Sequence, residues 1–220
     1  RKVSRPSLLR YLHNTGVLYY QKEQFHGRII LDQQWVIEAI YTLFDRKKMF
    51  YRLLNRGNGQ FSFEDLEIFW TGEKGFDEAQ CKLALSFLKS AEICYQLNYS
   101  SREEDSIYVA PQLLPIEPMV SIRPPQVEGL YLRYQYRYLH QVFIHRLIIR
   151  AGKLATAEHV WQHGIQFYWE DTFAMVAAHQ AANGPQGHIQ LQVAGPQAYQ
   201  LFQRLQNEFE HIHPNRMQYE

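Results

Sequence analysis

Five prolines, Pro111, Pro115, Pro118, Pro124 and Pro125, fall within fifteen residues. Each removes a backbone donor and fixes its own φ, so neither a helix nor a central strand can run through this stretch. The chain must therefore fold as two parts joined by an extended crossing, with the boundary near Pro118: residues 1–117 and 118–220. A length of 220 residues is enough for a hydrophobic core in each part.

The first part has helical spacing with short strands between. Leu8, Leu9 and Leu12 share one helix face, Ser7 is placed to cap it, and Gly16 is a stop signal. Val17–Tyr20 and Ile29–Leu31 read as short strands. Asp32 can cap a helix carrying Trp35, Val36, Ala39, Ile40, Leu43 and Phe44. The design then repeats. A helix through Ala84–Leu88 leads to Ile93-Cys94-Tyr95, and Ile107–Leu113 echoes Ile29–Trp35. Polar loops, 21–28 and 98–106, separate the strands in both units. A helix, a hairpin and a further helix make this half winged-helix-like.

The second part changes period. Leu130, Leu132, Tyr134, Tyr136 and Tyr138 alternate with Tyr131, Arg133, Gln135 and Arg137, which suits a strand with one wet face. Val142, Phe143, Leu147 and Ile148 follow at helical spacing up to Gly152. Strands are expected over 160–169, 172–178 and 189–193, with a turn at Asn183–Gly187. Pro196 opens a last helix with Leu201, Leu205, Phe209 and Ile212 on one side. The fold class is α+β: a mainly helical N-terminal half with short strands, then a C-terminal half with an antiparallel sheet and two helices.

Chemistry is sparse. No G-x-x-x-x-G-K-[ST] loop and no G-x-S-x-G elbow occurs, and the G-x-G at Gly57–Gly59 lacks the strand-to-helix setting of a phosphate site. A calcium loop with its glycine at Gly59 would need ligands at Leu54 and Arg56, which cannot supply them. Ser62 capping a helix, with Asp65 in its first turn, explains that segment. The pairs His159/His163, His140/His145 and His211/His213 lack further ligands at metal spacing. Glu103, Glu104 and Asp105 read as a solvated loop. No catalytic, cofactor-binding or metal-binding residue is assigned.

A formal net charge of +1 gives no general attraction for nucleic acid or a membrane surface. The alternative, a winged-helix nucleic-acid-binding protein, would read DNA through the helix from Gln33 to Arg46. Its basic residues gather only in Arg46-Lys47-Lys48, where they complement the helix dipole. Aromatic residues at 15% exceed what a core alone asks for and suit protein interfaces. Cys81 and Cys94 sit in apolar patterns without a disulfide framework, which points to the cytoplasm. No apolar run is long enough for a membrane span. A start without Met leads us to expect a piece of a longer protein.

The segment Leu12-His13-Asn14-Thr15-Gly16-Val17-Leu18-Tyr19-Tyr20, followed by Ile29-Ile30-Leu31-Asp32-Gln33-Gln34-Trp35-Val36, resembles the opening of the COR domain. COR stands for C-terminal of Roc, the Ras-like GTPase domain of Roco proteins. Trp161-Gln162-His163-Gly164-Ile165, and later Leu201 through His213, resemble its end. The resemblance implies a first half that packs on Roc and a second half that pairs two chains. It also implies that nucleotide state in Roc is coupled to dimer geometry, with GTP or GDP and Mg held by Roc and no cofactor here. Short loops suggest a prokaryotic Roco protein. Family members place an aromatic Roc contact in the strand before the proline matched by Pro111. Ungapped alignment puts Ile107 at that position with Tyr108 beside it, so both are candidate partner-binding residues. Arg146, on the helix after the first long strand, is a third.

Overall fold

The computed structural model describes residues 4–20, 29–45, 59–97, 106–121, 123–152, 155 and 159–212. The expected polar loop at 21–28, the acidic run 103–105, the turn at 55–58, the basic run 46–48 and His213 lie outside them. Among the described residues there are six α-helices and two antiparallel sheets, arranged as the α+β reading expects.

Helix α1 spans Arg5–Asn14, and its cap is Ser4 rather than Ser7: the Ser4 Oγ accepts the backbone N–H of Ser7 at 3.4 Å. Pro6 explains the shift. Proline fits the first helical turn, where its missing N–H leaves nothing unpaired, so the helix starts ahead of Ser7. Gly16 stops it with φ +74°, and the N–H groups of Gly16 and Val17 return to His13 and Leu12. The two short strands expected next reduce to one antiparallel bridge, Tyr19 with Ile30. Among the described residues no third strand lies beside this bridge, and two strands alone have little to hold a longer ladder. Helix α2, Gln33–Phe44, is capped by Asp32, whose carboxylate accepts the Gln34 N–H at 2.9 Å.

Strand β1 (Gln60–Ser62) and helix α3 (Phe63–Lys74) follow, with Ser62 and Asp65 forming the reciprocal capping box the sequence shows. Helix α4, Glu78–Ser90, has a second such box from Asp77 and Gln80. Strands β2 (Tyr95–Gln96) and β3 (Ile107–Val109) form a hairpin, and a 3-10 turn at Pro111–Leu113 closes the half. The sheet order is β1-β3-β2. Both repeat units thus run helix, antiparallel pair, helical turn. Phe61, Leu66, Trp70, Leu85, Leu88 and Tyr108 make the centre of this core, all at most 2% exposed.

The C-terminal half holds β4 (Gly129–Tyr136), helix α5 (Gln141–Ala151), β5 (Val160–Trp161), β6 (Gly164–Trp169), β7 (Thr172–Gln180), β8 (Gly187–Ala194) and helix α6 (Ala198–Ile212). The sheet order is β4-β8-β7-β6-β5. The single strand expected over 160–169 is a hairpin of two, reversing at Gln162-His163. Leu201, Leu205, Phe209 and Ile212 of α6 are buried together with Ile144, Leu147 and Ile148 of α5 against the sheet. That core also takes in Tyr95, Val109 and Leu114 from the first half. No helix among the described residues is long and apolar enough to cross a membrane.

Candidate functional site

Exposed apolar side chains in the first half gather on its opening elements. Leu8 and Tyr11 on α1 are 47% and 64% exposed, Leu31 is 72%, and Ile37 and Tyr41 on α2 are 41% and 72%. Helix α1 buries no residue at all. Its covered side is limited to the half-buried Leu9, Leu12 and His13, which is little tertiary cover for a helix of ten residues.

The three sequence candidates fall elsewhere. Tyr108 is fully buried: its ring stacks on Phe61 at 5.9 Å between centroids, and the Lys89 ammonium lies 5.6 Å from its centre. Its neighbour Ile107 is half-buried and keeps some surface. Both belong to β3, the central strand of the small sheet, where successive side chains face opposite ways. Arg146 lies on α5, far from β3 in sequence, and is held within the chain: its Nε is 2.7 Å from Glu92 Oε2.

That contact belongs to a junction the sequence does not announce. Glu92, just past the end of α4, has φ +53° and projects its carboxylate to the second half. Its other oxygen takes Arg150 Nη2 at 3.1 Å, and Arg150 Nη1 reaches Glu208 on α6 at 3.2 Å. Arg146 and Arg150 are one helical turn apart, so one carboxylate serves both. Nearby, Tyr95 packs on Gly152 so closely that a Cβ there would overlap its ring. Gln162 at the β5–β6 turn donates its side-chain amide to the carbonyls of Gln112 (3.2 Å) and Leu114 (2.8 Å). Its N–H donates to Pro115 at 2.9 Å. The halves are joined by core, ion pairs and hydrogen bonds. No sequence signal marks Glu92 for this role, because its partners are 54 and 58 residues away.

Titratable chemistry is concentrated under the β5–β6 turn. Burial pushes His145 down to about 4, with the neighbouring His163 adding to the shift. A cavity of about 360 Å³ lies nearby, lined by Leu139, Gln141, Ile144, His163, Ala178, His179 and Gln180. Its lining mixes the aliphatic side chains of Leu139 and Ile144 with Gln141, Gln180 and two histidines. Among the described residues no three His, Cys, Asp or Glu side chains come together as metal ligands.

Comparison with known proteins gives two family matches in tandem. Residues 1–114 match the model for "C-terminal of Roc, COR-A domain" and residues 127–220 that for "C-terminal of Roc, COR-B domain". The chain is also similar to cyclic GMP-binding protein C of Dictyostelium discoideum, at 32% identity over 94 residues. That alignment covers 41% of this chain and 3% of the relative, so the chain corresponds to a small part of that protein's length.

Proposed function

This chain belongs to the C-terminal-of-Roc (COR) family, and from that premise we propose that it is a regulatory module that docks on the adjacent Roc GTPase, relays its nucleotide state and helps pair two chains. COR domains are non-catalytic parts of Roco proteins and follow the Roc domain, which is the GTPase. In this reading GTP, GDP and Mg²⁺ are bound by Roc, and no catalytic step belongs to the present residues. A cytoplasmic setting agrees with two free, buried cysteines, Cys94 being pushed up to about 12 by burial.

The observation that carries the reading is α1 with its exposed Leu8 and Tyr11, together with exposed Leu31 and Tyr41. These residues lie toward the N-terminal end of the sequence, the end at which Roc precedes COR in the family. Exposed tyrosines such as Tyr11 and Tyr41 are of the residue type enriched among interface anchors. Ile107 is a secondary candidate for the Roc contact, with Tyr108 supporting it from the core side of β3. Arg146 acts one step further on, by tying α5 to Glu92. Relay requires only that the GTP and GDP forms of Roc bind this surface with different affinity.

The test is the double variant Tyr11→Ser/Leu31→Ser, titrated with the parent's Roc domain. Both side chains are exposed, so thermal stability should be unchanged while Roc affinity falls at least about tenfold. Unchanged affinity would place the Roc contact elsewhere.

A further inference from the structure

We propose that two copies of this chain pair through the outer edge of β4, antiparallel and centred on Leu132, so that their two five-stranded sheets become one. This rests on the pairing role proposed above and gives it an element and a register.

Strand β4 is an edge strand of eight residues, and its ladder with β8 runs unbroken from Gly129–Ala194 to Tyr136–Gly187. Among the described residues no strand pairs with its outer side. Edge strands that must stay single are commonly kept short, bulged, or protected by proline or charged side chains, lysine above all. The opposite edge follows that rule, because β5 has two residues. β4 is long, regular and without proline or lysine, its one charge is Arg133, which is engaged with Tyr131, and Leu130 and Tyr131 are 36% and 50% exposed.

The residue pattern selects a second copy over an unrelated extended peptide. With Leu132 on the twofold axis, Tyr131 of each chain faces Arg133 of the other, and Leu130 faces Tyr134. Arg133 and Tyr131 already suit each other within one chain: Arg133 Nη2 lies 3.0 Å from the Tyr131 hydroxyl, and the guanidinium carbon 5.9 Å from the ring centre. The strand is flanked by opposite charges, exposed Glu128 before it and exposed Arg137 after it. Antiparallel pairing brings the Glu128 end of one chain to the Arg137 end of the other. Parallel pairing would set Glu128 on Glu128 and Arg137 on Arg137. The antiparallel contact is also isologous and closes at two chains. Behind Arg133 and Tyr131, the outward positions of β8 are Gln190 and Gln192, which add no further charge to desolvate.

The test uses two single variants, Tyr131→Cys and Arg133→Cys, of the full chain. In the proposed register the thiol introduced at position 131 of one variant faces the thiol introduced at position 133 of the other, at cross-strand distance. Identical positions are diagonal, about 7–8 Å apart, and poorly placed for a disulfide. A mixture should form a disulfide-linked heterodimer under mild oxidation at least several-fold faster than either variant alone. Cys81 and Cys94 are buried and stay out of the reaction. A second arm uses sedimentation velocity. Tyr131→Arg, which sets like charges opposite each other twice, should weaken the dimer at least tenfold, and adding Arg133→Glu should restore it. Both positions are on the wet face of an edge strand, and thermal melts confirm folding. A dimer that shows neither pattern overturns the β4 register and leaves the pairing role standing. A strict monomer over the whole concentration range overturns both.

Discussion

His145 is a buried titratable side chain whose surroundings make stability depend on pH. It is 7% exposed, and burial with His163 nearby holds its pKa at about 4, below the ordinary 6.5. A depressed histidine favours the folded state while neutral, so its contribution is complete above about pH 6.5 and is lost as pH falls toward 4. Between pH 7.5 and pH 5 the loss should be about 2 kcal/mol in urea unfolding, from about 1.4 kcal/mol per pH unit below the unfolded pKa. The variant His145→Gln should remove most of that slope; an unaltered slope would assign it to other groups. Glu92 shows a different economy. As a non-glycine residue at φ +53° it sits in a sparsely populated backbone region, and its ion pairs with Arg146 and Arg150 offset the strain. Neither role was legible beforehand. The sequence marks His145 as one of ten histidines and leaves its environment to the fold.

Among the elements, those with local chemical signals were readable in advance. Ser62 with Asp65, Asp32 before α2 and Gly152 after α5 each mark a helix end through a backbone group that needs a partner nearby. The α6 stripe was equally plain, because a period of 3.6 places Leu201, Leu205, Phe209 and Ile212 on one side. Strands fared worse where tertiary contacts decide. The segment 160–169 has apolar content throughout, yet reverses at Gln162-His163 because Trp161 folds over Gly164 and the turn is tied to Pro115, Gln112 and Leu114. A side chain at Gly164 would meet the Trp161 ring and the Val176 carbonyl. Gly164→Ala should therefore cost about 1–3 kcal/mol in chemical unfolding, as forced overpacking does. A neutral result would mean that Trp161 can swing clear. The small β1 strand was missed for a related reason: three residues carry no period, and only pairing with β3 makes them a strand.

At the scale of the molecule, the crossing marked by the prolines is a change of sheet, while the packing continues across it. Tyr95, Val109 and Leu114 lie in the second core although they precede the crossing, and Glu92 and Gln162 reach across it in opposite directions. A perturbation at α1 or β3 therefore has packed side chains to travel through before it meets α5 and α6. Tyr95 is the test of that continuity. Its ring is 3% exposed against Gly152, while its hydroxyl has no hydrogen-bond partner among the described residues. Tyr95→Phe should be neutral or slightly stabilising, since it removes an unsatisfied buried hydroxyl. Tyr95→Ala should cost about 3–5 kcal/mol, as large aromatic truncations do. It should also split a single calorimetric transition into two; one transition in Tyr95→Ala would show that other contacts suffice to couple the halves. Nucleotide-dependent docking is measured most directly by a calorimetric titration of this chain with the parent's Roc domain, loaded with GDP and then with a non-hydrolysable GTP analogue. Binding is expected in both states, with affinities that differ by at least about fivefold, the lower end of common allosteric couplings. Equal affinity, or no binding in either state, would contradict it.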